Sequence, residues 1–273
     1  MTRALVSVII TTRNEESNIG RCLMSVMKQA YPSELIEIIV VDNASTDRTK
    51  EIVASFPARI FDLGPERSTQ RNFGVRQAKG EYIIYLDADM ALSEQLIAEC
   101  VRTCGNSDIV ALYLPEKIVG NGFWVKVRNF ERSFYDGTSI DCVRFIRRDC
   151  YLEIGGFDES LTGPEDWDFN RRIKEKYWVG LITNPIFHDE GMFSLKRYLK
   201  KKMYYAKSFD SYIRKWGRKD PEIRRQLGAW YRFVGVFIEN GKWKELIRHP
   251  ILVAGMYFLR INVGIAYLIL RYG

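Results

Sequence analysis

The chain predicts an α/β protein with a mostly parallel central sheet flanked by helices and a helical extension at its carboxyl-terminal end. Three observations carry that expectation. Short apolar runs rich in β-branched residues alternate with helical patterns of roughly ten to fifteen residues, an order that right-handed crossovers turn into a parallel sheet. Several of these runs stop at polar or acidic residues, as buried strands do where they emerge at a sheet edge. From about residue 195 onward the strands give way to basic amphipathic and apolar helical stretches. At 273 residues, 47% of them hydrophobic, the chain can build one large domain, or a domain with an appendage, around a sizeable core.

Taken in order, residues 5–11 form the first expected strand. They run straight into Arg13-Asn-Glu-Glu16 without a small-residue cleavage site, so a strand is expected there rather than a signal-peptide core. Residues 18–29 follow as a helix with Ile19, Leu23, Val26 and Met27 inward, ended by Tyr31-Pro32. Residues 36–41 are a second strand, stopping at Asp42, and Thr46 or Asp47 can cap a helix over 49–55. A short strand over 59–63, a helix over 69–78 and a strong strand over 81–86 come next. The last belongs to Glu81-Tyr-Ile-Ile-Tyr-Leu-Asp-Ala-Asp89, an apolar run that ends in two carboxylates one residue apart. A helix over 96–103 and a strand over 109–114 complete this half. Residues 116–140, rich in Gly, Phe, Trp and Arg, are expected to shape an acceptor pocket, with a turn at Gly120-Asn-Gly-Phe-Trp124 and a helical piece over 130–135. A strand over 143–147, helices over 148–154 and 169–177, and a last strand over 178–182 close the pattern. The expected division is 1–194 for the main α/β part, in two halves at about 1–115 and about 116–194, and 195–273 for the extension.

The polar strand ends converge on one chemistry. In a parallel sheet, neighbouring strand ends share a crevice, and ligands of open α/β sheets collect there. Thr11-Thr-Arg-Asn-Glu15 supplies groups able to meet a base, ribose or phosphate, and Asp42 a carboxylate able to accept from a nucleoside donor. Asp87 and Asp89 are hard oxygen donors suited to a divalent cation that also holds phosphates. Arg71 is either a surface arginine or a guanidinium facing a diphosphate. Glu165-Asp166 follows a Gly-Pro turn and opens a helix, where carboxylates serve as simple caps or as a general base for an acceptor hydroxyl. His188, one of two histidines, could join Asp89 on a metal ion. The five cysteines lack paired metal-site spacing and are expected to be reduced, on a cytosolic face.

Six segments, Ser7-Val-Ile-Ile-Thr-Thr-Arg-Asn-Glu-Glu16, Val40-Val-Asp-Asn-Ala-Ser-Thr-Asp47, Arg71-Asn-Phe-Gly74, Asp87-Ala-Asp89, Gly155-Gly-Phe-Asp158 and Glu165-Asp166, occur in the order and rough spacing of family 2 glycosyltransferases. The resemblance covers about residues 5–190. It implies a Rossmann-like fold of GT-A type and an inverting transfer from a nucleoside-diphosphate sugar, a UDP- or GDP-sugar, assisted by Mg²⁺ or Mn²⁺. By that resemblance Thr11, Arg13, Glu15, Asp42, Arg71 and Asp87 hold the nucleotide, Asp89 the metal, His188 the metal or a phosphate, and Asp166, beside Glu165, is the base. Thr11 and Arg13 stand where family members often carry Pro and Tyr.

Charge and the last quarter of the chain bear on location. The formal net charge is +7, yet residues 196–219 hold ten Lys or Arg against one acid, Asp210, leaving the remainder slightly negative. So local a stripe suits an anionic membrane surface or one docking face better than nucleic acid, and no nucleic-acid partner is expected. Leu195, Leu199, Met203, Phe209, Tyr212, Ile213 and Trp216 follow helical spacing, so this segment either packs on the catalytic part or lies on a bilayer. A helix over 223–238 and twenty mostly apolar residues at 251–270 follow, with Arg260 and Asn262 mid-stretch. A central Arg costs roughly 2.5–3.5 kcal/mol on insertion, which favours an interfacial or re-entrant helix over a lone span. The expected acceptor is a hydroxyl on a lipid-linked or cell-surface glycan precursor at the cytosolic membrane face. The alternatives are a synthase that uses a polyprenyl phosphate as acceptor, and a non-catalytic nucleotide-sugar or nucleic-acid binding module.

Overall fold

The computed structural model describes residues 3–272. Its first half runs β1 (Val6–Thr12), α1 (Ile19–Met27), β2 (Ile36–Asp42), α2 (Thr49–Ala54), β3 (Arg59–Asp62), α3 (Arg67–Gln77), β4 (Tyr82–Asp87), β5 (Met90–Leu92), α4 (Leu96–Gly105) and β6 (Ile109–Tyr113). Then follow β7 (Glu116–Val119), α5 (Phe123–Arg132), β8 (Val143–Arg147), α6 (Arg148–Glu153), α7 (Glu165–Lys174), β9 (Trp178–Leu181) and β10 (Ile186–Asp189). The remainder is helical: α8 (Leu195–Ala206), α9 (Phe209–Trp216), α10 (Pro221–Leu227), a π-helical turn (Tyr231–Gly235), α11 (Val236–Ile238), α12 (Trp243–Arg248) and α13 (Pro250–Tyr272).

Seven strands form the main sheet in the order β3-β2-β1-β4-β8-β6-β9. All neighbours are parallel except β8, which runs antiparallel to both β4 and β6. Every residue of β1 is buried, which is why its Val- and Ile-rich run shows no polar alternation. Its ladders set Thr11 opposite Asp87 and Thr12 opposite Asp42, so the polar strand ends line up at one edge.

The two faces of β4 serve two cores. Ile84 and Leu86 pack with Val8, Ile10, Leu23 and Ile97 under α1 and α4, while Ile83 and Tyr85 pack with Ile9, Val75, Tyr151 and Phe169 under α3, α6 and α7. Each such fully buried Ile or Leu contributes roughly 1.5–3 kcal/mol. The helix α3 lies so close to β1 that a Cβ on Gly74 would stand 2.4 Å from the Ile9 Cγ2.

Several elements depart from the sequence expectation. The strands β5, β7 and β10 form a second, three-stranded sheet in the order β5-β10-β7, and runs this short show no readable period. His188 therefore lies inside a strand, not after the last one. The helix α5 starts at Phe123, right after Gly122 at φ 98°, and not at residue 130. The helix expected over 169–177 begins at Glu165, which puts the acid pair in its first turn. The basic helix breaks at Lys207-Ser208, where the Ser208 hydroxyl accepts from the Thr162 and Gly163 N–H groups at 3.1 and 3.2 Å. The stretch over 223–238 breaks at Gly228, whose backbone turns extended.

The extension builds a third core, in which Met256 and Leu259 of α13 pack with Val127, Phe134 and Phe237. Arg260, expected as an obstacle inside an apolar helix, instead faces the protein and donates to Glu131 at 2.9 Å. The opposite face of α13 leaves Ile251, Ile261, Ile265, Leu268 and Ile269 exposed.

Gly74→Val is expected to lower unfolding stability by about 1–3 kcal/mol, because Ile9 is a buried strand residue with no room to yield. Urea titration checks this, and an unshifted midpoint would show that the α3–β1 contact has slack.

Candidate active site

A cleft of about 310 Å³ opens at the aligned strand ends. Thr11, Arg13 and Glu15 line it from the end of β1, Asn43 from the end of β2, and Asp87 and Asp89 from the end of β4. The loops after β1 and β2 are laced together: the Asn14 side chain accepts from the Thr46 N–H at 2.8 Å, and the Glu15 N–H donates to Thr49 Oγ1 at 2.8 Å. Both loops hold a non-glycine residue at positive φ, Asn14 at 53° and Ala44 at 50°, a strained geometry that clusters at ligand sites.

Asp42 stands at the same edge but is fully buried beside the cleft. Its two oxygens accept from the Ser45 N–H at 2.7 Å and the Ser45 hydroxyl at 2.5 Å, and thereby shape the turn that presents Asn43. Glu15 is half-buried, and burial, then the nearby Asp89 and Asp87, raise its pKa against the hydrogen bond from Asn18.

Behind the cleft lies a buried charge relay. Arg71, expected to be a surface group or a phosphate ligand, is fully buried on α3. Its guanidinium donates to Asp166 Oδ1 at 2.9 Å and Asp87 Oδ1 at 3.1 Å, and stacks over the Tyr85 ring at 4.9 Å. Asp87 also accepts from the Thr11 hydroxyl at 3.1 Å and from Arg67 at 3.4 Å. Burial would raise the Asp87 pKa, but Arg71 and then Arg67 outweigh it and hold the carboxyl well below its usual range.

The acid pair divides by environment. The Asp166 side chain is 27% exposed, whereas that of Glu165 is 2% exposed and faces Arg67 at 3.4 Å. Burial, then the neighbouring Asp166, pushes Glu165 up to about 8, against the opposing pull of Arg67 and Arg71.

On the other side, His188 Nε2 lies 3.1 Å from Asp89 Oδ2 and Nδ1 lies 2.7 Å from Glu116 Oε1. Burial disfavours the imidazolium, but hydrogen bonds to Asp89 and Glu116 outweigh it and push the pKa up to about 10. The second Asp89 oxygen, Oδ1, is buried without a partner. A hard carboxylate with an unused oxygen beside an imidazole fits a divalent cation in part. Among the described residues no group of three His, Cys, Asp or Glu is placed to hold one, so further ligands would come from donor phosphates and water.

The remaining wall comes from α8, which the sequence did not place here. Lys201, Tyr204 and Tyr205 line the cleft opposite Asp87 and Asp89; Tyr204 donates to Glu66 at 2.9 Å, and Arg67 lies over the Tyr205 ring at 5.3 Å. The helix can sit this close because residue 163 is glycine, where a Cβ would meet the Tyr205 carbonyl at 2.3 Å. Of the expected residues, Thr11, Arg13, Glu15, Asp87 and Asp89 thus form the cleft wall, while Asp42, Arg71, Glu165, Asp166 and His188 stand behind it. The Lys200-Lys-Lys202 run was the one visible hint of the α8 wall, and nothing in the sequence near Glu116 links it to His188.

A mostly parallel sheet with an acidic cleft at its strand ends and a small second sheet beside it defines an α/β fold of GT-A type. Residues 7–159 match the family described as Glycosyl transferase family 2, and the chain belongs to that family. It is similar to glycosyltransferase AglE of Haloferax volcanii, 36% identical over 190 residues that cover 64% of this chain and 62% of that protein. It is also similar to the beta-monoglucosyldiacylglycerol synthase of Synechocystis, 25% identical over 68% of this chain and 44% of that protein. The chain thus matches less than two thirds of the length of these relatives. Among solved structures, the mannosyltransferase PcManGT of Pyrobaculum calidifontis, in complex with GDP-Man and Mn²⁺, aligns with a TM-score of 0.66 at 20% identity, over 99% of this chain and 86% of that one. Residues 1–349 of TarS from S. aureus align with a TM-score of 0.59 at 18% identity, over 97% and 80%. At these identities the structural likeness establishes the fold.

Because folded Glu165 keeps its proton up to about 8 while an unfolded glutamate loses it near 4.5, the folded state binds the extra proton between those values. Stability is therefore fully present below 4.5 and is lost as pH rises towards 8. Glu165→Gln is expected to flatten that decline and to be the more stable protein at the alkaline end. Thermal midpoints measured across this range provide the check, and parallel curves for the two proteins would refute it.

Proposed function

We propose that the chain is an inverting glycosyltransferase that moves a sugar from a nucleoside-diphosphate sugar to a hydroxyl acceptor at a membrane surface. The observation that carries this reading is the Arg71 bridge, which ties the cleft carboxylate Asp87 to the partly exposed Asp166 through one buried guanidinium. Thr11, Arg13, Glu15 and Asn43 would contact the nucleoside, with Asp42 shaping the loop behind it. Arg67 and Lys201 would face the diphosphate, where guanidinium and ammonium groups stabilise leaving-group charge. Asp89 would hold Mg²⁺ or Mn²⁺, joined by His188 once the ion displaces its Nε2 proton, with Glu116 orienting the imidazole, and the ion would neutralise charge on the departing diphosphate.

The acceptor oxygen forms its bond to the anomeric carbon as the bond from that carbon to the diphosphate oxygen breaks. The acceptor proton passes to Asp166, whose Oδ1 is fixed by Arg71. Glu165, kept protonated by burial, is the supporting member of the pair. Attack opposite the leaving group inverts the anomeric centre. UDP- and GDP-sugars are both compatible donors. The exposed apolar face of α13, a helix long and apolar enough to cross a membrane, and the basic α8 support a membrane-presented acceptor such as a lipid-linked saccharide on the cytosolic side. A glycolipid synthase among the relatives agrees with that acceptor class.

Asp166→Asn should reduce release of nucleoside diphosphate from the donor by roughly 10²-fold or more while donor binding persists, and comparable turnover would sink the assignment. In calorimetry, Asp89→Ala should abolish the gain in donor affinity that Mn²⁺ confers on the wild-type protein; an undiminished gain would remove Asp89 from the metal site.

A further inference from the structure

Four cations converge between α5, α8, the π-helical turn and α13. Arg128 and Arg260 are buried and share Glu131 at 2.6 and 2.9 Å, and Arg128 also pairs with Glu190 at 3.0 Å. Both carboxylates are thereby engaged. Lys202 and Arg232 are half-buried against the rings of Tyr198 and Trp167, at 5.5 and 5.8 Å, and neither makes an ion pair within the described residues. The crowding is felt electrostatically: burial, then repulsion from Arg128, pushes the Lys202 ammonium down to about 7, and burial lowers Arg232 as well. Glu131, already paired with Arg128 and Arg260, is also the carboxylate that acts on Lys202 and Arg232, so the cations here outnumber the acids, and an anion between Lys202 and Arg232 would relieve the excess.

The surroundings indicate which anion. A guanidinium beside an ammonium matches phosphate oxygens. Trp230 and Val234, on either side of Arg232, are exposed, as is the outer row of α13 at Ile261, Ile265 and Leu268. Cations and an exposed tryptophan, with an exposed apolar row on the outer face of α13, make the composition of a membrane–water boundary. On its inner side the cluster touches Trp167, the residue after Asp166.

We propose that Lys202 and Arg232 seat the phosphate of a lipid whose chain lies along α13, the anchor of the acceptor. The assignment to the acceptor rests on the glycosyltransferase reading, whereas the phosphate seat can be tested without turnover. The full chain is sedimented with phosphatidylcholine vesicles, plain or doped with a long-chain prenyl phosphate. Wild type is expected to prefer the doped vesicles. Lys202→Gln with Arg232→Gln should weaken that binding by roughly tenfold or more. Lys196→Gln with Lys200→Gln, which removes the same charge from exposed positions of α8, should retain most of it, and Arg232→Lys should retain part. A nucleotide-induced thermal shift preserved in the double variant shows that its fold is intact. Equal losses in the two double variants would reduce the effect to general surface charge and overturn the proposal. So would inorganic phosphate stabilising the wild type as much as prenyl phosphate does. Prenyl-phosphate binding without any release of nucleoside diphosphate would leave the seat standing and remove the transferase reading instead.

Discussion

The buried guanidinium of Arg71 is the contact on which the rest of this site depends. A cation withdrawn from water is tolerable only with partners in place, and Arg71 has two carboxylates and an aromatic face. Those partners come from two elements, Asp87 and Tyr85 from β4 and Asp166 from α7. One ionic requirement therefore clamps α3, the central strand and the helix with the acid pair into a single relative position. Gly74 on the same helix brings α3 close enough to β1 for the guanidinium to reach across.

The same relay sorts the carboxylates into roles. Asp87, facing two arginines, is held as an anion, whereas Glu165, buried beside another acid, retains its proton to about 8. Asp166, next in the chain, is paired with Arg71 and partly exposed. Acid and base functions on one fold arise when environments push like groups apart, and here burial and the two arginines do so.

The helical extension is bound into this arrangement. On α8, Lys201 turns to the strand-end cleft and Lys202, one residue on, to the cations beside Arg128, so a single helix borders both the cleft and the third core. The close approach at Gly163 and the Ser208 hydroxyl set the depth at which α8 docks. Charge that looked in the sequence like a uniform basic stripe is thereby divided between Lys201 at the cleft, half-buried Lys202, and a solvated remainder at Lys196, Arg197 and Lys200.

By itself the sequence determined the α/β class, the main parallel strands, the convergence of Thr11, Arg13, Glu15, Asp87 and Asp89 on one edge, and membership of the family. These are local properties: an apolar run, its polar end and the alternation of strands with helices are written into contiguous residues, and parallel pairing then aligns them. Only the tertiary structure decided that Arg71 is buried between two acids, that Asp42 turns into its own loop and that α8 closes the cleft. It also decided that His188 sits between Asp89 and Glu116, which are 99 and 72 residues away along the chain. Such contacts join side chains from separate elements, and their distances follow from how helices and sheets pack, which periodicity along the chain does not encode.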